Sequence, residues 1–101
     1  MIRINVNYED NYIKKITLKG HADYASYGYD IVCAAVSATY ICTVNGIISL
    51  FENDFIEVLS KDDTQSIIVL EKNDTINKLL ENMIRCLKSL EEKYPNNIMI
   101  K

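Results

Sequence analysis

The chain has a single histidine, a single proline, three glycines and no tryptophan, and between Asp30 and Glu52 it carries no charged residue at all. One imidazole and three cysteines, at positions 33, 42 and 86 with no Cys-x-x-Cys pair, do not supply the donors of a closed four-ligand zinc site. The same odd, widely spaced cysteines give no disulfide framework, and no leader-like segment opens the sequence. A reducing cytoplasm is therefore the expected setting. Scarce Gly and Pro, with 49% apolar and 25% charged residues, exclude a linker or disordered tail. Acidic and basic residues interleave around a net charge of −3, which leaves no cationic face able to neutralise several phosphates, so direct nucleic-acid binding is not expected. The length of 101 residues fits one domain, 1–101, and no second core.

The uncharged run from Ile31 to Phe51 is long enough to cross a bilayer. It nevertheless holds Ser37, Thr39, Tyr40, Thr43, Asn45 and Ser49, and no Lys or Arg stands beside it to set an orientation, so no membrane span is expected. A helix apolar on all sides is instead expected to be buried on all sides. One small sheet and one more helix are too little to cover it, which points to a homodimer.

Around this run the pattern reads as an α+β domain. Ile2, Ile4 and Val6 alternate with polar residues over Ile2 to Tyr8, and Ile16 and Leu18 mark a second strand over Tyr12 to Lys19, with a turn at Glu9-Asp10-Asn11. Gly20 to Asp30 is a loop, and Asp30 is placed to cap a helix running from about Ile31 towards Leu50 by accepting from the amide of Val32 or Cys33. Phe55 to Ser60 and Gln65 to Glu71 form a second hairpin around Lys61-Asp62-Asp63-Thr64. Asp74 or Thr75 caps an amphipathic helix with Ile76, Leu79, Leu80, Met83, Leu87 and Leu90 on one face, ending before Pro95. Asn97 to Lys101 closes the chain as an edge strand, giving the order ββαββαβ with the sheet packed on a buried central helix and a second amphipathic one.

Cys33 falls in the first turn of the first helix, where amides are unpaired and the positive end of the helix dipole favours thiolate over thiol. His21, twelve residues upstream, is the only imidazole that a folded-back loop can bring to it. The bland readings stand beside this one. Free cysteine is commonly inert packing, and Cys42 and Cys86 are read that way; Asp30 serves as a cap in the first place and as a holder of His21 in the second. Tyr24, Tyr27 and Tyr29 fit either an aromatic groove for a peptide or half-buried anchors.

The segment Gly20 to Ala38, with Gly-His at 20 and 21, Gly-Tyr-Asp-Ile-Val-Cys at 28 to 33 and Ser37 four residues past the cysteine, resembles the ribosomal-processing cysteine protease family, known as Prp. It covers about a fifth of the chain. The resemblance implies a peptidase that removes the N-terminal extension of a large-subunit ribosomal protein in support of ribosome assembly, works as a homodimer and uses Cys33 and His21 as a dyad. It also places Ser37 one helical turn below the cysteine as a supporting residue. Tyr29 stands where a basic residue is expected in the family, and Asp23 adds an acid to the loop.

On this reading Cys33 attacks a peptide carbonyl, His21 protonates the leaving amine, first-turn amides hold the oxyanion, and no metal or cofactor is needed. The loop from Gly20 to Asp30 is expected to order on substrate. Two rivals predict no cleavage: a dimeric peptide-binding or ribosome-assembly module, and a thiol redox sensor, which lacks a resolving cysteine near Cys33.

Overall fold

A computed structural model describes residues 1–26, 28–52 and 54–101. Five strands and two helices follow in the expected order: β1 (Ile2–Glu9), β2 (Tyr12–Lys19), α1 (Ile31–Phe51), β3 (Ile56–Lys61), β4 (Thr64–Val69), α2 (Asp74–Lys93) and β5 (Ile98–Ile100). The strands form one sheet in the order β3-β4-β2-β1-β5. All neighbours are antiparallel except β1 and β5, which pair in parallel with Ile2 opposite Ile98. The last strand therefore sits at an edge, as its sequence position suggested.

Alternation explains which face of the sheet is dry. Ile2 and Ile4, Ile16 and Leu18, Ile67 and Val69, and Ile98 all point into one core with α1 and α2, while Arg3, Asn5 and Lys19 face solvent. In β2 the pattern slips. A bulge opposite the Asn7–Tyr8 step shifts the register, so Ile13 is buried although it lies an odd number of residues before Ile16, and Lys14 reaches Nζ to the Val69 carbonyl at 2.9 Å. Asp10 and Asn11, both at positive φ, make the two-residue turn that joins β1 to β2.

The central helix is covered by its own chain along one face. Only the stripe Val32, Val36, Tyr40, Val44 and Ile47 is buried, whereas Ile31, Ile41 and Leu50 are more than half exposed. The helix is thus covered on one face, because a single sheet and a single partner helix supply one wall. It is the one described helix long and apolar enough to cross a bilayer, yet that buried stripe belongs to the same core as the sheet. Its hydroxyls bond within the helix: Thr39 Oγ1 donates to the Ala35 carbonyl and Thr43 Oγ1 to the Thr39 carbonyl.

Helix α2 buries Ile76, Leu80, Met83, Ile84 and Leu87. Its cap is Asn73, whose Oδ1 accepts from the Ile76 amide at 3.0 Å, and not Asp74 or Thr75. Asp74 is already helical and takes the hydroxyl of Tyr12 instead. Asn73→Ala is expected to cost about 1 kcal/mol in chemical denaturation while Thr75→Ala stays within ~0.5 kcal/mol of wild type. Equal losses for the two would return the cap to position 75.

Candidate active site

The site grows from the end of β2. Gly20 has φ +94°, and a Cβ there would lie 2.7 Å from the Met1 carbonyl oxygen, so glycine alone fits. Its amide donates to the Asp63 carbonyl at 3.0 Å, tying the start of the loop to the β3–β4 turn. The next residue, His21, is largely exposed and places Nε2 3.1 Å from Asp63 Oδ1. Ala22 is fully buried; its amide donates to Cys33 Sγ at 3.2 Å and its carbonyl accepts from Asn97 Nδ2 at 2.9 Å. Asp23 pairs with the N-terminal ammonium at 3.1 Å. Tyr24 donates its amide to Asp30 Oδ2 at 3.0 Å and sets its ring edge-on to Tyr94, 5.4 Å between centroids. The first half of the loop is therefore held at every residue from Gly20 to Tyr24.

Cys33, third in α1, is half-buried. Its amide donates to Asp30 Oδ1 at 2.9 Å, so Asp30 is the cap that its position implied. Burial works against ionisation of the Asp30 carboxyl, but amides from Cys33, Tyr24 and Ala25 and the Cys33 thiol outweigh it and hold this group below the usual carboxylate range. The sulfur thus accepts from the Ala22 amide and lies beside the Asp30 carboxylate that caps its helix.

A cleft of about 740 Å³ opens over this sulfur. His21, Asp30, Cys33 and Ser37 all line it, joined by Asp63 and, deeper along α1, Val36 and Tyr40. The four residues singled out from the sequence are brought to one cavity. They are not joined as imagined: the His21 ring bonds Asp63 and not Asp30, and none of the described hydrogen bonds links it directly to Cys33. Ser37 is exposed and makes none of the described side-chain bonds to the sulfur or the loop. Cys42 and Cys86, read as packing residues, are exposed instead, because each falls on the outer face of its helix. Tyr24 is an anchor on Tyr94, Tyr29 is 78% exposed, and Tyr27 lies outside the described residues.

Sequence reasoning missed Asp63 and Asn97, which arrive from 42 and 75 residues away. The Asp62-Asp63 pair was visible only as turn chemistry, and nothing local ties a hairpin tip to a histidine.

A half-buried thiol at the amino end of a helix, opening on a cleft shared with the one imidazole, is the equipment of a cysteine protease. Comparison with known proteins gives the same class. The profile of the family described as cysteine protease Prp matches residues 1–99. A ribosomal processing cysteine protease Prp of Staphylococcus aureus is 32% identical, with 99% of this chain and 97% of the relative aligned. The crystal structure of an essential ribosomal processing protease Prp from S. aureus with a covalently linked product peptide superposes with TM-score 0.94 at 31% identity, covering 100% of this chain and 98% of that one. Its complex with a substrate peptide gives 0.87 at 30%, with the same coverage. The chain belongs to the Prp family of cysteine proteases.

Because Asp30 ionises more readily in the folded state, it adds stability above the unfolded carboxyl pKa of ~3.9 that is lost as pH falls through its lower folded value. Asp30→Ala is expected to be less stable than wild type by about 1 kcal/mol at pH 7, with the gap narrowing as pH falls below the unfolded carboxyl pKa of ~3.9. A gap of constant size from pH 7 to pH 2.5 in urea titrations would contradict the ionised cap.

Proposed function

We propose that the protein removes the N-terminal extension of a large-subunit ribosomal protein in the cytoplasm, with Cys33 as nucleophile and His21 as acid-base partner. The observation that carries this reading is the shared cleft, in which the amide next to His21 already touches the Cys33 sulfur at 3.2 Å. The relatives' description as ribosomal processing proteases and the covalently linked product peptide of the S. aureus enzyme support it.

The imidazole takes the proton of Cys33, and the thiolate attacks the scissile carbonyl to form a C–S bond. The Cys33 amide is engaged by Asp30 and the Ala34 amide by the Asp30 carbonyl, and the positive end of the α1 dipole favours the developing oxyanion. Collapse breaks the C–N bond as the imidazolium protonates the leaving amine. Water then cleaves the thioester and restores the thiol. Asp63 keeps the ring turned into the cleft and opposes its positive charge, a contribution limited by the exposure of both groups.

The exposed outer face of α1, with Ile41 52% and Leu50 64% exposed, is covered by a second copy of the chain in this reading. Sedimentation at micromolar concentration is expected to give a dimer and Ile41→Glu a monomer; a wild-type monomer removes the dimer.

With the extended ribosomal protein as substrate and product masses as readout, Cys33→Ala is expected to be inactive and His21→Ala to lose at least ~10²-fold in kcat/KM. Asp63→Asn is expected to lose only about two- to fivefold, the size of an exposed charge pair. Cleavage that survives in Cys33→Ala ends the nucleophile assignment.

A further inference from the structure

Charges that interleave along the sequence separate on the sheet. Both helices pack against one face, and the alternation that buries Ile4, Ile16, Leu18 and Ile67 turns every second residue to the other. On that bare face the register sets Arg3 of β1 opposite Lys19 of β2, Lys19 opposite Thr64 of β4, and Thr64 opposite Lys61 of β3. Three exposed cations thus stand in one row across the strands, about 14 Å from end to end at the usual inter-strand spacing. None of them is in an ion pair among the described residues.

The neighbouring acids lie elsewhere. Asp62 and Asp63, which follow Lys61 in the turn, line the catalytic cleft on the opposite side of the sheet, where Asp63 meets His21. Glu57 and Glu9 share the bare face by parity but sit at the far ends of β3 and β1, about 14 Å from Lys61 and 20 Å from Arg3 along the strands. The row therefore keeps an uncompensated positive field although the whole chain is acidic.

The side chains between and beside the cations narrow the partner. Thr64 lies within the row, and the next row holds Asn5, Thr17 and Ser66, whose short amide and hydroxyl groups suit phosphate and sugar oxygens. Neither row has an aromatic residue, so unpaired bases find nothing to stack on, and a paired backbone read by its shape fits better.

We propose that the bare face of the sheet is an RNA-binding surface, on which Arg3, Lys19 and Lys61 engage phosphates of a double-stranded segment while the cleft on the other face stays open. The inference rests on the ribosomal-processing reading for its choice of RNA among polyanions, and it adds a docking contact remote from the catalytic groups.

Fluorescence anisotropy with a labelled RNA duplex of about 16 base pairs, enough to present two successive minor grooves, tests it. Wild type is expected to bind at 50 mM salt, with a Kd that rises about 40-fold by 200 mM, the dependence of three phosphate contacts. Arg3→Gln/Lys19→Gln/Lys61→Gln is expected to bind at least ~10-fold more weakly at 50 mM salt and to lose most of the salt dependence, while Lys78→Gln/Lys88→Gln on α2 binds as wild type. No wild-type binding below about 0.1 mM protein, or an unchanged Kd in the triple variant, overturns the proposal. Tighter binding to the single strand, to polyglutamate or to anionic lipid vesicles than to the duplex does the same. Lysine acetylation of the wild type with and without duplex needs no variant to fold: protection of Lys19 and Lys61 with Lys78 and Lys88 still reactive supports the surface, and equal reactivity throughout overturns it. Binding is read without cleavage, so inactivity on the extended ribosomal protein, which sinks the peptidase reading, leaves this result standing.

Discussion

The two oxygens of Asp30 hold the site together. Oδ1 closes the amino end of α1 by accepting from Cys33, and Oδ2 fastens the returning loop by accepting from Tyr24. One carboxylate therefore sets both where the sulfur lies and where the strand-to-helix loop passes. The loop carries Ala22 against that sulfur, and Ala22 is fixed in turn by its buried methyl and by Asn97 at the entrance to β5. A capping residue thus does in this small domain what a larger enzyme spreads over several elements.

The imidazole is set by a different part of the chain. The β3–β4 turn reaches over the end of β2 and binds the backbone at Gly20 and the ring at His21 through a single residue, Asp63. The Ala22 contact comes from the loop, and the Asp63 contacts come from the β3–β4 turn, so the thiol and the imidazole are positioned by independent attachments that meet at residues 20 to 22. Gly20 must remain glycine for that meeting to occur, because its close approach to the Met1 carbonyl and its positive φ leave no room for a side chain.

Much of this could be read before any coordinates. Period-two alternation located β1 and the core half of β2, the apolar spacing located α2, and the Asp30 cap followed from an acid placed directly before the long uncharged run. What stayed hidden has physical reasons. A bulge moves Ile13 to the core, and bulges leave little local trace. The α2 cap lies at Asn73, because Asp, Asn and Thr are near-equal caps and three of them stand in a row. Which stripe of α1 turns inward was also not legible, since a helix apolar on all sides carries no face pattern. Asp63 and Asn97 reach the site by tertiary contact alone.

The central claim is that this environment, and not exposure, makes Cys33 the reactive thiol, and a competition among the three free cysteines tests it most directly. Cys42 and Cys86 are exposed and Cys33 is half-buried, so access alone ranks Cys33 last. Brief treatment of the native protein with iodoacetamide at neutral pH, followed by peptide mass mapping, reads the order of reaction. The account predicts that Cys33 is alkylated first and that His21→Ala slows Cys33 while leaving Cys42 and Cys86 unchanged. Labelling of Cys42 and Cys86 ahead of Cys33, with no response to His21→Ala, would contradict it.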